Sequence, residues 1–323
     1  MNIKVAALTA GCALVAAVCM ADANVEQMTQ FHMGGALGGL VNAFGGKATH
    51  EGLASTTWVK GNRKATAIGS DEELVDLDAE KVYHLDLGRK TYRVVTFDEL
   101  RRQFEDAKKR GAKDEKGAAD KKEGPEYEVE VSVKDTGMKQ TINGYNTHEV
   151  VTTVTVHEKG KSLEKAGGGV FTADMWIGPR IREMKEIGDF DRRYFQKLYG
   201  KEFSGADMQQ LAVLMATNPA FGKAMKAFGE KRSSFDGTPI RTVLTFEGVT
   251  GSEQKAEGDS DSGTPMSPGA AIGGLFKRAA QRRQQNSGEA QRSKVFDSTI
   301  ELMKASAAVA PADVAIPPGF TEK

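Results

Sequence analysis

The chain has very little cysteine, and this scarcity excludes several kinds of chemistry. Its two cysteines, Cys12 and Cys19, both lie in an apolar run that starts at Val5 and ends at Met20. A chain from which that run has been removed has no thiol with which to form a disulfide, attack a substrate or bind a metal ion. An oxidising compartment would therefore leave the remaining chain chemically unchanged.

The sequence also lacks an excess of charge of either sign and lacks recognisable catalytic motifs. Its 44 basic and 44 acidic residues balance, so we expect no general attraction to nucleic acid. The five histidines are scattered, without the spacing typical of a metal site. No nucleophile elbow or phosphate-binding loop is present. The sequence therefore predicts no catalytic residue, no metal ligand and no cofactor, which indicates a protein that is not an enzyme.

The apolar run near the N-terminus is typical of a secretory signal peptide. Lys4 provides a positive start, and Ala21-Asp22-Ala23 offers small residues where a signal peptidase cuts. We expect cleavage between Ala23 and Asn24, so that residues 1–23 are the leader and the mature protein is periplasmic or secreted. The run is shorter than the about 20 residues of a membrane helix, so we expect no stable membrane span after cleavage. A lipoprotein form is disfavoured, because neither cysteine has leucine at the usual third position before it.

Paired glycines interrupt the apolar sequence that follows the leader. Residues 31–46 read FHMGGALGGLVNAFGG, a composition that opposes a stable helix. We predict a flexible, Gly-rich segment over residues 24–48, which would be either a hydrophobic lid that could touch a membrane or a poorly ordered entry segment.

Short segments of alternating polarity are what the sequence has in abundance. Residues 49–97 contain four or five of them, separated by tight turns. Hairpins this close together predict an antiparallel meander, because parallel strands need longer crossovers. Turns are also predicted at Asp135-Thr136-Gly137 and at Asn143-Gly144. Further strands are predicted over 127–133, 150–156, 171–177, 240–246 and 296–302.

A few helices are predicted between these strands. Thr96 and Glu99 have the spacing of a capping box, so a helix should start at Phe97. A second helix is predicted to be capped by Asp189 or Asp191 and to end at Gly200. Two more, rich in methionine and phenylalanine, are predicted over 206–217 and from Pro219 onward.

Two inserts and the C-terminal segment have compositions that oppose regular structure. Residues 111–124 and 250–290 are polar, charged or rich in glycine and serine, which predicts disordered inserts. The closing residues VAPADVAIPPGF carry three prolines, and we predict an extended conformation for them.

Several motifs resemble those of a family of secreted bacterial domains of unknown function. These are WVKGNRK, ELVDLDAEKVYHLDLGRKTYRVVTFDEL, DTGMKQTINGYNTHEV and the terminal IPPGF. Such domains are similar to the LolA/LolB lipoprotein-carrier scaffold, in which a curved, half-open antiparallel sheet wraps over helices. The resemblance implies an α+β fold of half-barrel type, and it implies no activity. We expect residues 49–323 to form one such domain, with the two inserts within it.

Two functions fit this prediction. In the first, an exported binding protein holds a lipid, another hydrophobic ligand or a lipidated protein in the cavity of the half-barrel. In the second, a cell-envelope protein with a fully packed core has a structural or protein-interaction role. Alternation alone does not fix which face of the sheet points inward. The expected lining of the cavity consists of Tyr83, Leu85, Leu87, Tyr92, Val94 and Trp176.

Overall fold

The computed structural model of the chain describes residues 22–33, 52–106, 126–200, 236–252 and 291–323. These residues form one twelve-stranded sheet that is curved, unclosed and antiparallel in every pair but one. The α+β class is consistent with this architecture. The helices predicted over 206–217 and from Pro219 lie outside the described residues. So do the predicted inserts, apart from residues 250–252.

The strands and helices have the following bounds. The strands are β1 Ala23–Met33, β2 Leu53–Lys60, β3 Arg63–Ile68, β4 Asp71–Asp76, β5 Lys81–Asp86, β6 Thr91–Thr96, β7 Tyr127–Ile142, β8 Tyr145–Glu158, β9 Gly168–Gly178, β10 Thr238–Thr250, β11 Gln291–Ser306 and β12 Thr321–Glu322. The helices are α1 at residues 97–106, α2 Leu163–Ala166, α3 Arg182–Tyr199 and a 3₁₀ helix at Pro311–Val314.

Strand β1 lies at the centre of the sheet, between β2 and β11. The meander β2–β6 extends to one side of it, and strands β11, β10, β9, β8 and β7 extend in that order to the other. The short strand β12 adds in parallel to β6, and β7 forms the opposite edge. The β1–β11 pair therefore joins two meanders that are otherwise built from neighbours in sequence.

The five strands predicted within residues 49–97 are confirmed as β2–β6. Each pairs with the next through a tight turn, and residues with positive φ occupy those turns, among them Gly61, Gly69 and Lys90. The capping box at the start of α1 is also confirmed. The Glu99 carboxylate accepts a hydrogen bond from the Thr96 amide at 2.7 Å, and the Glu99 amide donates to the Thr96 hydroxyl at 3.2 Å.

The prediction of a flexible segment over residues 24–48 is wrong for residues 24–33. Residues Ala23–Met33 form the central strand β1, which has antiparallel partners on both sides. The sequence NVEQMTQFH does not alternate cleanly, and a bulge at Glu26/Gln27 breaks its register with β11. This segment is a strand because its backbone pairs with β2 and β11, and not because its side chains alternate. Residues 34–51 lie outside the described part of the chain.

Two local predictions of backbone conformation are wrong. Asp135-Thr136-Gly137 is not a turn between strands, because β7 continues through it with an irregularity between Asp135 and Lys139. Gly137 has a φ of 74°, which accommodates this bulge. The C-terminal segment is not extended throughout, because a 3₁₀ helix occupies Pro311–Val314. Its proline takes the first helical position, where no amide is needed.

The helix expected near Asp189 and Asp191 is longer than predicted, and neither aspartate caps it. Helix α3 begins at Arg182 after Ile181, with no side-chain cap. Asp189 and Asp191 therefore lie in its middle. The predicted end is confirmed, because Gly200 has a φ of 92° and donates its amide to the Gln196 carbonyl at 3.0 Å.

Helix α3 packs on one side of the sheet, which we call the helix-side face. In the first meander, its residues Phe190, Phe195 and Leu198 are buried against Val59 and Val82. Near the sheet centre, Met184 and Ile187 pack on a cluster that includes Val25, Ile240 and Leu302. The opposite face of the first meander is covered by the C-terminal segment through Val309, Val314, Ile316 and Phe320.

Candidate functional site

The six predicted cavity residues do not come together. Tyr83, Leu85, Leu87 and Tyr92 lie on the face opposite α3, in a cluster closed by the C-terminal segment. Val94 pairs with Tyr83, which puts it on that same face. Trp176 belongs to a different cluster, beside Ile181 and Ile240.

The helix-side face of β7–β11 is a regular array of apolar side chains. Residues directly opposite each other in an antiparallel sheet point to the same face, so the register defines three rows across the five strands. In order from β7 to β11, they are Val131, Val154, Phe171, Phe246 and Phe296; Val133, Thr152, Ala173, Leu244 and Ser298; and Asp135, Val150, Met175, Thr242 and Ile300.

These rows lie on the same side of the sheet as α3. Strand β11 alternates regularly from Leu302 through Ile300 to Ser298, and Leu302 belongs to the cluster against which Met184 of α3 packs. The centre of the array is dry, because Val150, Val154 and Ala173 are at most 1% exposed.

Besides Asp135 and Thr242 in the third row, two buried hydroxyl groups interrupt the apolar array. Thr152 and Ser298 lie in the middle row and are each 1% exposed. Neither hydroxyl oxygen has a hydrogen-bond partner within the part of the chain that the structure describes. Burying a hydroxyl without a partner costs about 1–3 kcal/mol. The two residues are separated by three strand intervals, about 14 Å along the row, so a ligand that contacted both would have to be an extended molecule.

A polar pocket of about 260 Å³ lies between α3 and the first meander. Within it, the Lys64 ammonium pairs with the Asp191 carboxylate, and both side chains are largely buried. The Lys64 ammonium also lies 5.6 Å from the centre of the Phe190 ring. This ion pair connects β3 to α3, and the burial of Phe190 around it indicates a structural role.

The rim of this pocket is more exposed. Glu73 and His84 pair across β4 and β5, with 3.7 Å between the carboxylate oxygen and Nδ1. Burial, with a smaller contribution from the Glu73 charge, raises the pKa of Tyr194, so its phenol stays protonated. Within the described ranges, no three histidine, cysteine or acidic side chains gather in the manner of a metal site.

The sequence did not single out Thr152, Ser298 or Lys64, and it indicated Asp191 only as a possible helix cap. The alternation of β8 and β11 placed the two hydroxyl residues in strands, but threonine and serine are ordinary there. Only the register across five strands shows that both lie among apolar neighbours on one face.

These features define a class of protein, an α+β protein with a large, curved, unclosed antiparallel sheet, on one side of which helix α3 packs. No family model matches the chain, and no curated protein matches it. Among the described residues, no helix combines the length and apolar character needed to span a bilayer.

Proposed function

We propose that this is an exported, non-enzymatic binding protein that holds a hydrophobic ligand, a lipid or acyl chain, on the helix-side face of β7–β11. The sheet would form a half-barrel of the LolA/LolB type around that ligand. The observation that carries the proposal is the pair of buried hydroxyls, Thr152 and Ser298, in the middle row, whose other members are apolar. Ester or carboxyl oxygens of a lipid would accept hydrogen bonds from both groups and offset the cost of burying them.

The surroundings of the two hydroxyls favour binding over catalysis. The cross-strand neighbours of Thr152 are Val133 and Ala173, and one neighbour of Ser298 is Leu244. None of these carries a base that would activate a hydroxyl as a nucleophile. The remaining neighbour of Ser298, Phe31, is also apolar.

The proposed ligand site is not the one that the sequence predicted. Tyr83, Leu85, Leu87 and Tyr92 pack under the C-terminal segment, and the proposal moves the site to the other face and the other meander. The predicted leader would place the protein in the periplasm or outside the cell, where a lipid or a lipidated protein would be its partner.

The alternative function is that of a structural or protein-interaction protein of the cell envelope, with a core that holds no ligand. The packed cluster on the opposite face, with Leu74 and Leu85 each 2% exposed, favours this alternative for the first meander. It predicts that the two buried hydroxyls are simply tolerated, at a cost in stability.

Mass spectrometry of solvent extracts tests the proposal. Natively purified protein should carry a lipid or fatty acid. The double variant Thr152→Val with Ser298→Ala should bind it about thirtyfold more weakly and retain correspondingly less, because each of the two lost hydrogen bonds contributes about 1 kcal/mol. The matched control is Thr153→Val with Thr299→Ala, which changes the neighbouring residues that point to the opposite face. That control should retain the lipid.

Stability measurements report the cost of the two buried hydroxyls, and the lipid content of the wild type separates the two functions. In both cases the ligand-free double variant should be more stable than the wild type, because two unpaired hydroxyls are removed. A wild-type protein without extractable lipid, together with a stabilised double variant, would favour the alternative and refute the carrier proposal.

A further inference from the structure

The folded sheet begins earlier than the predicted leader cleavage point allows. Ala23 is 0% exposed and belongs to the core cluster that contains Val59 and Phe190. It is also the first residue of the central strand, opposite Val59 of β2. Cleavage between Ala23 and Asn24 would remove a buried residue from this core.

Asp22, one residue earlier, also contacts the folded sheet. Its carboxylate forms an ion pair with the Lys60 ammonium at the end of β2. The same ammonium donates a hydrogen bond to the Val309 carbonyl at 3.2 Å. Lys60 thus connects the start of β1 to the C-terminal segment, and the connection depends on Asp22.

A cut after Ala23 would also place a charge in an unfavourable position. The new α-ammonium would belong to Asn24, which pairs with Trp58 on one side and with Ser306 on the other. The side-chain oxygen of Asn24 is buried with no partner in the described chain. Charges are costly in such positions. A terminus at Asp22 lies outside the strand and beside a carboxylate.

The leader sequence offers a second cut that avoids these costs. Signal peptidases require small residues at the first and third positions before the cut. Ala23 and Ala21 satisfy this requirement for a cut before Asn24, and Ala21 and Cys19 satisfy it for a cut before Asp22. The leader alone therefore permits both sites, and the fold distinguishes between them.

We propose that the leader is cut between Ala21 and Asp22, so that the mature chain keeps Asp22 and Ala23 as parts of the sheet. This inference rests on the proposed export and does not depend on the bound ligand. Both cysteines still leave with the leader, and the mature chain remains free of thiols.

N-terminal sequencing and intact-mass measurement of protein exported by a Gram-negative host test the inference. The expected first residue is Asp22. A first residue of Asn24 would overturn the inference and leave export intact. Accumulation of the uncleaved precursor in the cytoplasm would overturn both.

Leader variants sharpen this test. Cys19→Leu places a large residue three positions before the proposed cut and leaves the cut before Asn24 unobstructed. We expect it to block formation of the Asp22 terminus. Met20→Leu, at the tolerant middle position, is the matched control and should be processed as the wild type. Unchanged processing of Cys19→Leu would contradict the proposed site.

The contribution of the two residues to the fold is measured separately. Chains starting at Asp22 and at Asn24 can be released from a fusion without additional residues. The longer chain should have a Tm higher by about 2–4 °C, the shift expected for a loss of about 1 kcal/mol in a domain of this size. Equal Tm values would contradict the role given to Asp22 and Ala23.

Discussion

The Lys64–Asp191 ion pair is the residue contact for which the structure predicts the largest energetic effect. Its side chains are 16% and 9% exposed, and the Lys64 ammonium lies beside the Phe190 ring. Asp191→Ala should reduce the free energy of unfolding by about 3 kcal/mol, because it leaves a largely buried ammonium unpaired. Chemical denaturation measures this loss.

A double variant provides the control for this prediction. Lys64→Met combined with Asp191→Leu removes both charges and keeps the apolar volume, so it should recover most of the lost stability. Asp189→Ala, two residues away on the more exposed side of α3, removes only surface pairs with Lys185 and Arg192. It should cost less than about 1 kcal/mol. A similar loss for Asp189→Ala and Asp191→Ala would argue against a special role for the buried pair.

His157 predicts a pH dependence of stability. Burial alone would lower the pKa of its imidazole. Hydrogen bonds to the Glu158 carbonyl and the Glu130 carboxylate, with the charges of Glu130 and Glu128, outweigh burial, and the pKa lies above its ordinary value of 6.5. The folded state therefore binds the proton more tightly than the unfolded state. This stabilisation is fully present below pH 6.5 and is lost as the pH rises through the raised pKa.

Thermal unfolding at a series of pH values tests this prediction. His157→Gln should remove the decline in Tm between about pH 6 and pH 8. The control is His148→Gln, near the other end of β8, where the side chain is 39% exposed. It should leave the decline in place. A wild-type Tm that rises over this range would contradict the assignment.

Helix α3 contains a glycine at a position where neither close packing nor a positive φ requires one. Gly188 lies in its middle, is exposed, and a Cβ added there would meet nothing within 4 Å. Gly188→Ala should therefore stabilise the protein by about 0.5–1 kcal/mol. Gly237→Ala is the contrasting variant, because its φ is 139° and its Cβ would lie 2.3 Å from the Gly178 carbonyl oxygen. It should destabilise the protein, and stabilisation by both would contradict the structure.

Elements built from local contacts were predictable, and elements held from a distance were not. Strands β2–β6 pair with their neighbours in sequence, so alternation and turn residues were sufficient. Strand β1 pairs with β11 from the far end of the chain, and its weak alternation gave no signal. Asp191 resembled a cap because nothing in the sequence indicated that Lys64 would lie beside it.

At the scale of the whole molecule, the continuous sheet predicts a single unfolding transition. The chain has two tryptophans, and they lie in different meanders: Trp58 in β2 and Trp176 in β9. The variants Trp58→Phe and Trp176→Phe each leave one reporter. Their denaturation midpoints, corrected for the effect of each substitution on circular dichroism, should coincide. A reporter that unfolds separately from the circular dichroism signal would instead indicate two domains.

The candidate site could be predicted only in part, for a reason that belongs to the whole molecule. Each strand's alternation was visible, but alternation does not say which of two faces is covered by which segment. Tyr83 and Tyr92 were predicted to line a cavity, but the C-terminal segment packs over them. Thr152 and Ser298 become informative only when five strands are aligned.

The central place of β1 has a consequence for how the chain acquires its structure. A ribosome or a secretion pore delivers residues 23–33 early, and residues 291–306, which form the far neighbour of this strand, almost last. Strands β2–β6 can pair along one edge of β1 before β11 is available to pair with the other edge. Until about the last tenth of the chain has been delivered, the backbone amide and carbonyl groups on one edge of β1 have no strand partner. Such late, long-range closure favours slow maturation and a need for protection against wrong pairing during transit.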